Sequence, residues 1–170
     1  MKIRKKYTKP AHPWRKERIE VENKLVEEYG LKNKQEVWKT QSVLRGFTRQ
    51  AKRLIALRGK QADVESDQLL AKLHTLGLLK HRSVSGVLDI TVKDLMERRL
   101  QTVVYRKGLA SSIRQARQFI VHEHVRVSER RISVPSYLVK IDEESGIAVD
   151  EKMKTMVVSA VKESPSGESE

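Results

Sequence analysis

The sequence predicts an α+β fold: a mainly helical N-terminal region over residues 14–97, then a small domain over residues 98–161 in which two helices pack on a short, mostly antiparallel sheet. Three observations predict it. Apolar residues recur every three to four positions from Ile19 to Leu76 and again from Met96 to Ile120. The period then falls to two, Val125 and Val127 alternating around Arg126, and Ile132 and Val134 around Ser133. Gly30, Gly77 and Gly108 stand where three of the helical patterns stop, the place where helices commonly end in left-handed backbone.

Residues 1–13, MKIRKKYTKPAHP, hold Lys2, Arg4, Lys5, Lys6 and Lys9 with two prolines and no apolar period. They are expected to form an extended basic arm, with Tyr7 or the following Trp14 available to stack or pack. A first helix is expected over Trp14–Tyr29, loosely patterned by Ile19, Val21, Leu25 and Val26. The longest helix follows over Lys34–Arg58. Val37, Leu44, Phe47, Ala51 and Leu54 form its core stripe, and Arg45, Arg49, Lys52 and Arg53 a separate basic one. Gly46 weakens its middle by about 1 kcal/mol relative to Ala. A third helix, Ala62–Leu76, aligns Leu69, Leu73 and Leu76. Lys80–Asp89 reads as a polar connection, and Thr91 with Asp94 as the cap of the next helix.

That helix is expected to run through Met96, Leu100, Val103 and Val104 to Gly108. Ser112-x-x-Gln115 is a capping-box pattern opening another, with Ile113, Ala116, Phe119 and Ile120 inward and Arg114, Arg117 and Gln118 along a basic edge. A hairpin follows with Ser128–Arg131 as its turn. Tyr137–Ile141 and Ile147–Val149 read as a second hairpin around Ser145-Gly146, the glycine supplying positive φ. Thr155–Val161 is a candidate last strand, and residues 162–170 a disordered acidic tail.

Charge narrows the function. The chain of 170 residues is 38% hydrophobic and 5% aromatic, with net charge +13 and pI near 10.0, which points to a polyanionic partner. Residues 1–60 carry +12, residues 61–97 −2, residues 98–141 +8 and residues 142–170 −5. Ten Lys/Arg against two acids over residues 98–141 are more than pairing among those residues neutralises. Mixed with Gln, Ser and Tyr, this is the footprint of a phosphate-backbone binder. The candidate contacts are Arg99, Arg106, Lys107, Ser112, Arg114, Arg117, Gln118, His122, Arg126, Arg130 and Arg131, with Arg45, Arg49, Lys52 and Arg53 on the long helix and Lys5 and Lys6 on the arm.

Enzyme and metal chemistry find no support. There is no cysteine, phosphate loop, dinucleotide fingerprint or Gly-x-Ser-x-Gly, and His122-Glu123-His124 lacks the His-Glu-x-x-His spacing that puts two imidazoles on one helix face. No signal peptide and no apolar run long enough to span a bilayer is read. The expectation is a non-enzyme with no cofactor, no metal, no small-molecule substrate and no membrane association.

The run RRLQTVVYRKGLASSIRQARQFIVHEHVRVSERRISVPSYLV resembles the RNA-binding domain of the small-subunit ribosomal protein S-four family. The order of Arg-Leu, Val-Val-Tyr-Arg, Gly, Ser, Ala-Arg-Gln, Ile-His and the valine hairpin ending in Pro-Ser carries the likeness. HPWRKERIEVENKLVEEYGLKNKQEVWKTQSVLR and AKRLIALRGKQADVESDQLLAKLHTLGLL resemble the family's archaeal and eukaryotic members, extending the likeness over about residues 5–150. Two positions depart from the pattern: Gln101 replaces an Asp, and Ser128-Glu129 an Asn-Gly. The cysteine zinc site of some members is not carried over. The resemblance implies a cytoplasmic structural constituent of the small ribosomal subunit that binds rRNA in the 5′ domain and nucleates assembly. It further implies that the chain lies beside protein S-five near the mRNA entry path and supports decoding accuracy. A ribosome-assembly factor using the same RNA-binding domain is the alternative. A peripheral membrane protein held by basic amphipathic helices would need more large aromatics than the sequence offers.

Overall fold

The computed structural model describes residues 5–57, 59–79, 81–150 and 153. They divide into two compact units, the first ending at Glu97 and the second beginning at Arg98. Met1–Arg4 of the expected arm, the expected strand Thr155–Val161 and the acidic tail lie outside the described residues.

The first unit contains α1 (Lys16–Glu28), α2 (Lys34–Ala56), α3 (Lys60–Thr75), a 3₁₀ turn (Ser85–Leu88) and α4 (Val92–Glu97). Leu25, Tyr29, Leu31, Val37 and Met96 form one buried cluster. Ala51, Leu54, Leu69, Leu70, Leu73, Leu79, Val87 and Ile90 form another, against which Leu44 and Phe47 are half-buried. The long helix therefore turns its N-terminal half to one cluster and its C-terminal half to the other. The stretch expected to be a polar connection contributes the fully buried Val87 through its 3₁₀ turn, with Val84 half-buried against the same cluster, two residues too few to carry a period. The Thr91–Asp94 cap is present: Asp94 Oδ2 accepts from Thr91 N and Oγ1, both at 2.8 Å.

The second unit contains α5 (Leu100–Arg106), α6 (Ile113–Val121), β1 (Val125–Val127), β2 (Arg130–Arg131), α7 (Ile141–Glu144) and β3 (Ile147–Val149). The strands form one antiparallel sheet in the order β2-β1-β3. Val125, Val127, Ile147 and Val149 point to one face, where Leu100, Val103, Val104, Ala116, Phe119 and Ile120 complete the core. This is the expected α+β arrangement of two helices on a short antiparallel sheet.

Several local expectations are corrected. The helix expected from Met96 to Gly108 is broken at Arg98–Arg99. Arg99 is extended (φ −71°, ψ 140°), Leu100 N donates to the Tyr137 carbonyl at 2.8 Å and Val139 N to the Arg98 carbonyl at 2.9 Å. The backbone of this junction is thus satisfied by strand-like pairing, and Met96 packs into the first unit. The second strand is Arg130–Arg131 rather than Ile132–Val134, because the turn needs only Ser128 and Glu129: Val127 pairs directly with Arg130, and Ser128 takes φ 56°. Tyr137–Ile141 forms no hairpin with Ile147–Val149. Ile141–Glu144 is a helical turn, and Ile147–Val149 pairs with β1.

The same closure ends four helices. In α1, α3 and α5 the residue two past the cap donates to the carbonyl five back, and Gly30, Gly77 and Gly108 hold the left-handed position at φ 54°, 70° and 69°. In α6 His124 N donates to the Phe119 carbonyl in the same way, but Glu123 holds that position at φ 63°. A side chain there is strained, so this is the costliest of the four stops.

Gly146 is not at positive φ, correcting the expectation for it. It is needed for space. Ser128 N donates to its carbonyl at 2.8 Å, and a Cβ on Gly146 would sit 2.9 Å from Ser128 Oγ and 3.3 Å from Ser128 Cα and N. Gly146→Ala is expected to destabilise the chain by about 1–2 kcal/mol through this overpacking. Ser128→Gly, which removes the nearest atom and relieves the positive φ, should recover much of that loss. Urea unfolding of the two single variants and the double variant checks it; additive costs would refute the contact.

Candidate nucleic-acid interface

On α2 the turn of 3.6 residues sets Arg45, Arg49, Lys52 and Arg53 opposite the stripe of Leu44, Phe47, Ala51 and Leu54. All four cations are exposed, while Ala51 and Leu54 are buried. Lys5 and Lys6 on the arm are exposed as well.

In the second unit the predicted contacts separate into three groups. Arg106, Lys107, Ser112, Arg114, Gln118 and His122 are exposed on α5, α6 and their ends. Ser112 Oγ caps α6 by accepting from Gln115 N at 3.1 Å. The reciprocal arm of the expected capping box reaches one residue further back: Gln115 Oε1 accepts from Ser111 N at 2.7 Å and Ser111 Oγ at 2.6 Å. Lys107 Nζ donates to the carbonyl of Glu144. His122 is the C-terminal cap of α6.

Arg117 and Arg99 are not surface arginines of this kind. Arg117 is half-buried and donates to Gln101 Oε1 at 3.4 Å. Arg99, with extended backbone, is only 3% exposed. It is removed from the candidate contacts.

Arg126, Arg130 and Arg131 lie on the hairpin, exposed. Arg126 and Arg131 are directly opposite each other across β1 and β2, an arrangement that is repulsive by itself. Asp150 resolves it. Its Oδ1 accepts from Arg126 Nη2 at 2.8 Å, while its Oδ2 lies 4.0 Å from Arg131 Nη2 and 3.5 Å from His124 Nδ1. The Arg126 hydrogen bond is the main cause that holds the Asp150 carboxyl below its ordinary range. Among the described residues no group of three or more His, Asp or Glu is arranged to hold a metal.

Sequence reasoning missed the polar groups that brace this surface. Gln101 is fully buried, its Nε2 donating to the Ile113 carbonyl at 3.1 Å while Oε1 takes Arg117, so it ties α5 to α6. Arg98 pairs with Glu144 at 2.8 Å and donates to the Val139 carbonyl at 3.0 Å. Tyr137 Oη donates to Glu143 Oε2 at 2.8 Å. That hydrogen bond, with burial and the Glu143 charge behind it, raises the Tyr137 pKa. On Glu143 desolvation pushes upward, but the same bond together with Lys140 outweighs it and leaves the carboxyl below its ordinary value. These acids come from beyond Ile141, so pairing takes up more of the positive excess than a count ending there allows. Only the departure of Gln101 from the resembling pattern could have flagged any of them.

The pattern described as S4 domain matches residues 98–145. The small ribosomal subunit proteins uS4 of Saccharolobus islandicus (strain L.S.2.15 / Lassen #1) and Saccharolobus solfataricus (strain ATCC 35092 / DSM 1617 / JCM 11322 / P2) are each 49% identical to this chain over 146 residues, 85% of this chain and 81% of the relative. With that identity over that much of both proteins, the chain belongs to the small ribosomal subunit protein uS4 family.

Proposed function

We propose that the chain is a structural constituent of the small ribosomal subunit, in the cytoplasm, that binds rRNA directly and performs no catalysis. One observation carries the binding surface. Arg45, Arg49, Lys52 and Arg53 on α2 and Arg114 on α6 stand exposed, while Ala51 and Leu54 of α2 and Ala116, Phe119 and Ile120 of α6 are buried. Arginine and lysine at that spacing meet phosphates, and Ser112, Gln118 and His122 are of the right chemistry for 2′-hydroxyls and unstacked base edges. In this reading residues 98–161 are the RNA-binding domain, and residues 14–97 add the second basic surface on α2, with Lys5 and Lys6 reaching a further phosphate. The finer assignment is to the 5′ domain of the rRNA, with a role in nucleating assembly and, beside protein S-five, in decoding accuracy. Family membership supports it over a transient assembly factor.

The test is binding of the full chain to small-subunit rRNA against excess tRNA over a range of salt. Arg114→Ala should weaken binding and make the slope of log affinity against log salt shallower by roughly 0.7–0.9, one phosphate's share. An unchanged affinity and slope would exclude the exposed face of α6.

A further inference from the structure

The arm folds back across α1 and α2. Thr8 N donates to Ser42 Oγ at 3.2 Å, and the Tyr7 ring lies 6.0 Å from that of Trp38, tilted 38°. Arg18 Nη2 holds the carbonyls of His12 and Pro13 at 3.1 and 2.8 Å. Between arm and helices runs a groove of about 570 Å³ lined by Lys9, Pro13, Trp14, Glu22, Lys34 and Trp38 among others.

Three features coincide there. Trp14 is 90% exposed, so a large flat apolar face stands in water. Lys9 and Lys34 supply positive charge along the lining. Glu22 is 2% exposed, and although its Oε1 accepts from Arg18 Nη1 and Trp38 Nε1, both at 3.0 Å, its Oε2 is buried with no donor. Arg18 Nε of the same pair is likewise buried without an acceptor, so the pair is not fully satisfied by the protein's own groups. An acyl chain would satisfy the indole but neither the lysines nor the carboxylate. An acidic peptide would satisfy the lysines but bring a second carboxylate towards Glu22. An unpaired nucleotide satisfies all three: a π face for Trp14, phosphates for the lysines and base N–H groups for the acid.

We infer that this groove holds one unstacked nucleobase of a single-stranded RNA segment, seated on Trp14 with its flanking phosphates at Lys9 and Lys34 and an N–H edge towards Glu22. Guanine, whose N1–H and N2–H lie side by side, brings the most donors to the one oxygen that Arg18 and Trp38 leave open. The inference rests on the RNA-binding function proposed above and deepens it.

The experiment uses the full chain and two short oligouridine RNAs, one with a single central guanosine and one with an abasic site in its place. Tryptophan fluorescence and affinity are followed in the unmutated chain, Trp14→Phe and Trp14→Ala, with rRNA binding measured in parallel. Trp14 is exposed, so neither change threatens the fold. The guanosine RNA should quench the unmutated chain; Trp14→Ala should bind it on the order of tenfold more weakly and Trp14→Phe nearly as well. The abasic site should cost the unmutated chain a similar factor and Trp14→Ala nothing further. Equal affinity of Trp14→Ala and the unmutated chain, or an abasic penalty that survives in Trp14→Ala, would overturn the inference while rRNA binding stayed intact. Loss of rRNA binding by the unmutated chain itself would instead overturn the function on which it rests.

Discussion

Changing Arg45, Arg49, Lys52 and Arg53 together to Gln is expected to weaken rRNA binding by roughly two orders of magnitude near 0.15 M salt and to flatten the salt dependence by about three. The size follows from counterion release, since each cation taken off a phosphate lowers the slope by roughly 0.7–0.9 and the four cations share one exposed face. The fold should be unaffected. All four side chains are exposed, none takes part in either apolar cluster, and glutamine keeps helix propensity close to that of arginine and lysine. Neutralising exposed Lys24 and Lys32 controls for net charge alone. If that pair lowered the slope as much per charge as the four on α2, the basic stripe would be no more than part of a diffuse positive field.

Glu22→Ala is expected to have the largest effect on stability, roughly 3 kcal/mol. Glu22 is a charge buried in the first unit with Arg18 and the Trp38 indole as its donors, and removing one partner of a buried pair costs roughly 3–5 kcal/mol. Arg18 retains 24% exposure, which moves the expectation to the low end of that range. Glu22→Gln keeps one carbonyl acceptor and should lose about half as much. Because Arg18 also holds the carbonyls of His12 and Pro13, the arm should loosen along with the pair. Urea midpoints of the two variants, read with the Tyr7–Trp38 contact as a fluorescence reporter, test both parts. An unchanged midpoint for Glu22→Ala would mean that the pair only balances its own desolvation.

What is legible in the sequence is what period and local chemistry encode. The stripes of α2 and α6, the Ser112 cap and the glycine stops depend on residues within a turn of one another, and each is found. What is not legible depends on distant partners. The break at Arg98–Arg99 is made by the segment around Tyr137–Val139, some forty residues away, so no local signal stops the apolar stripe at Met96. The second strand of the hairpin is hidden because Arg130 and Arg131 do not look like strand residues. The juxtaposition of Arg126 and Arg131 across the pair is offset by Asp150, an acid that lies outside the hairpin in the sequence. Arg99 counts as a surface cation because charge is visible in a sequence and burial is not.

Asp150 has a consequence for the cost of association. An arginine free in water keeps about 2 kcal/mol of rotamer entropy that a phosphate contact must quench. Arg126, bonded to Asp150, and Arg131, drawn towards it, have given up part of that freedom on folding. β1 thus presents the Arg126 guanidinium already oriented, and a phosphate docking there would order less than on a surface of untethered side chains. The same carboxylate subtracts one charge, so this face exchanges strength of attraction for readiness of fit.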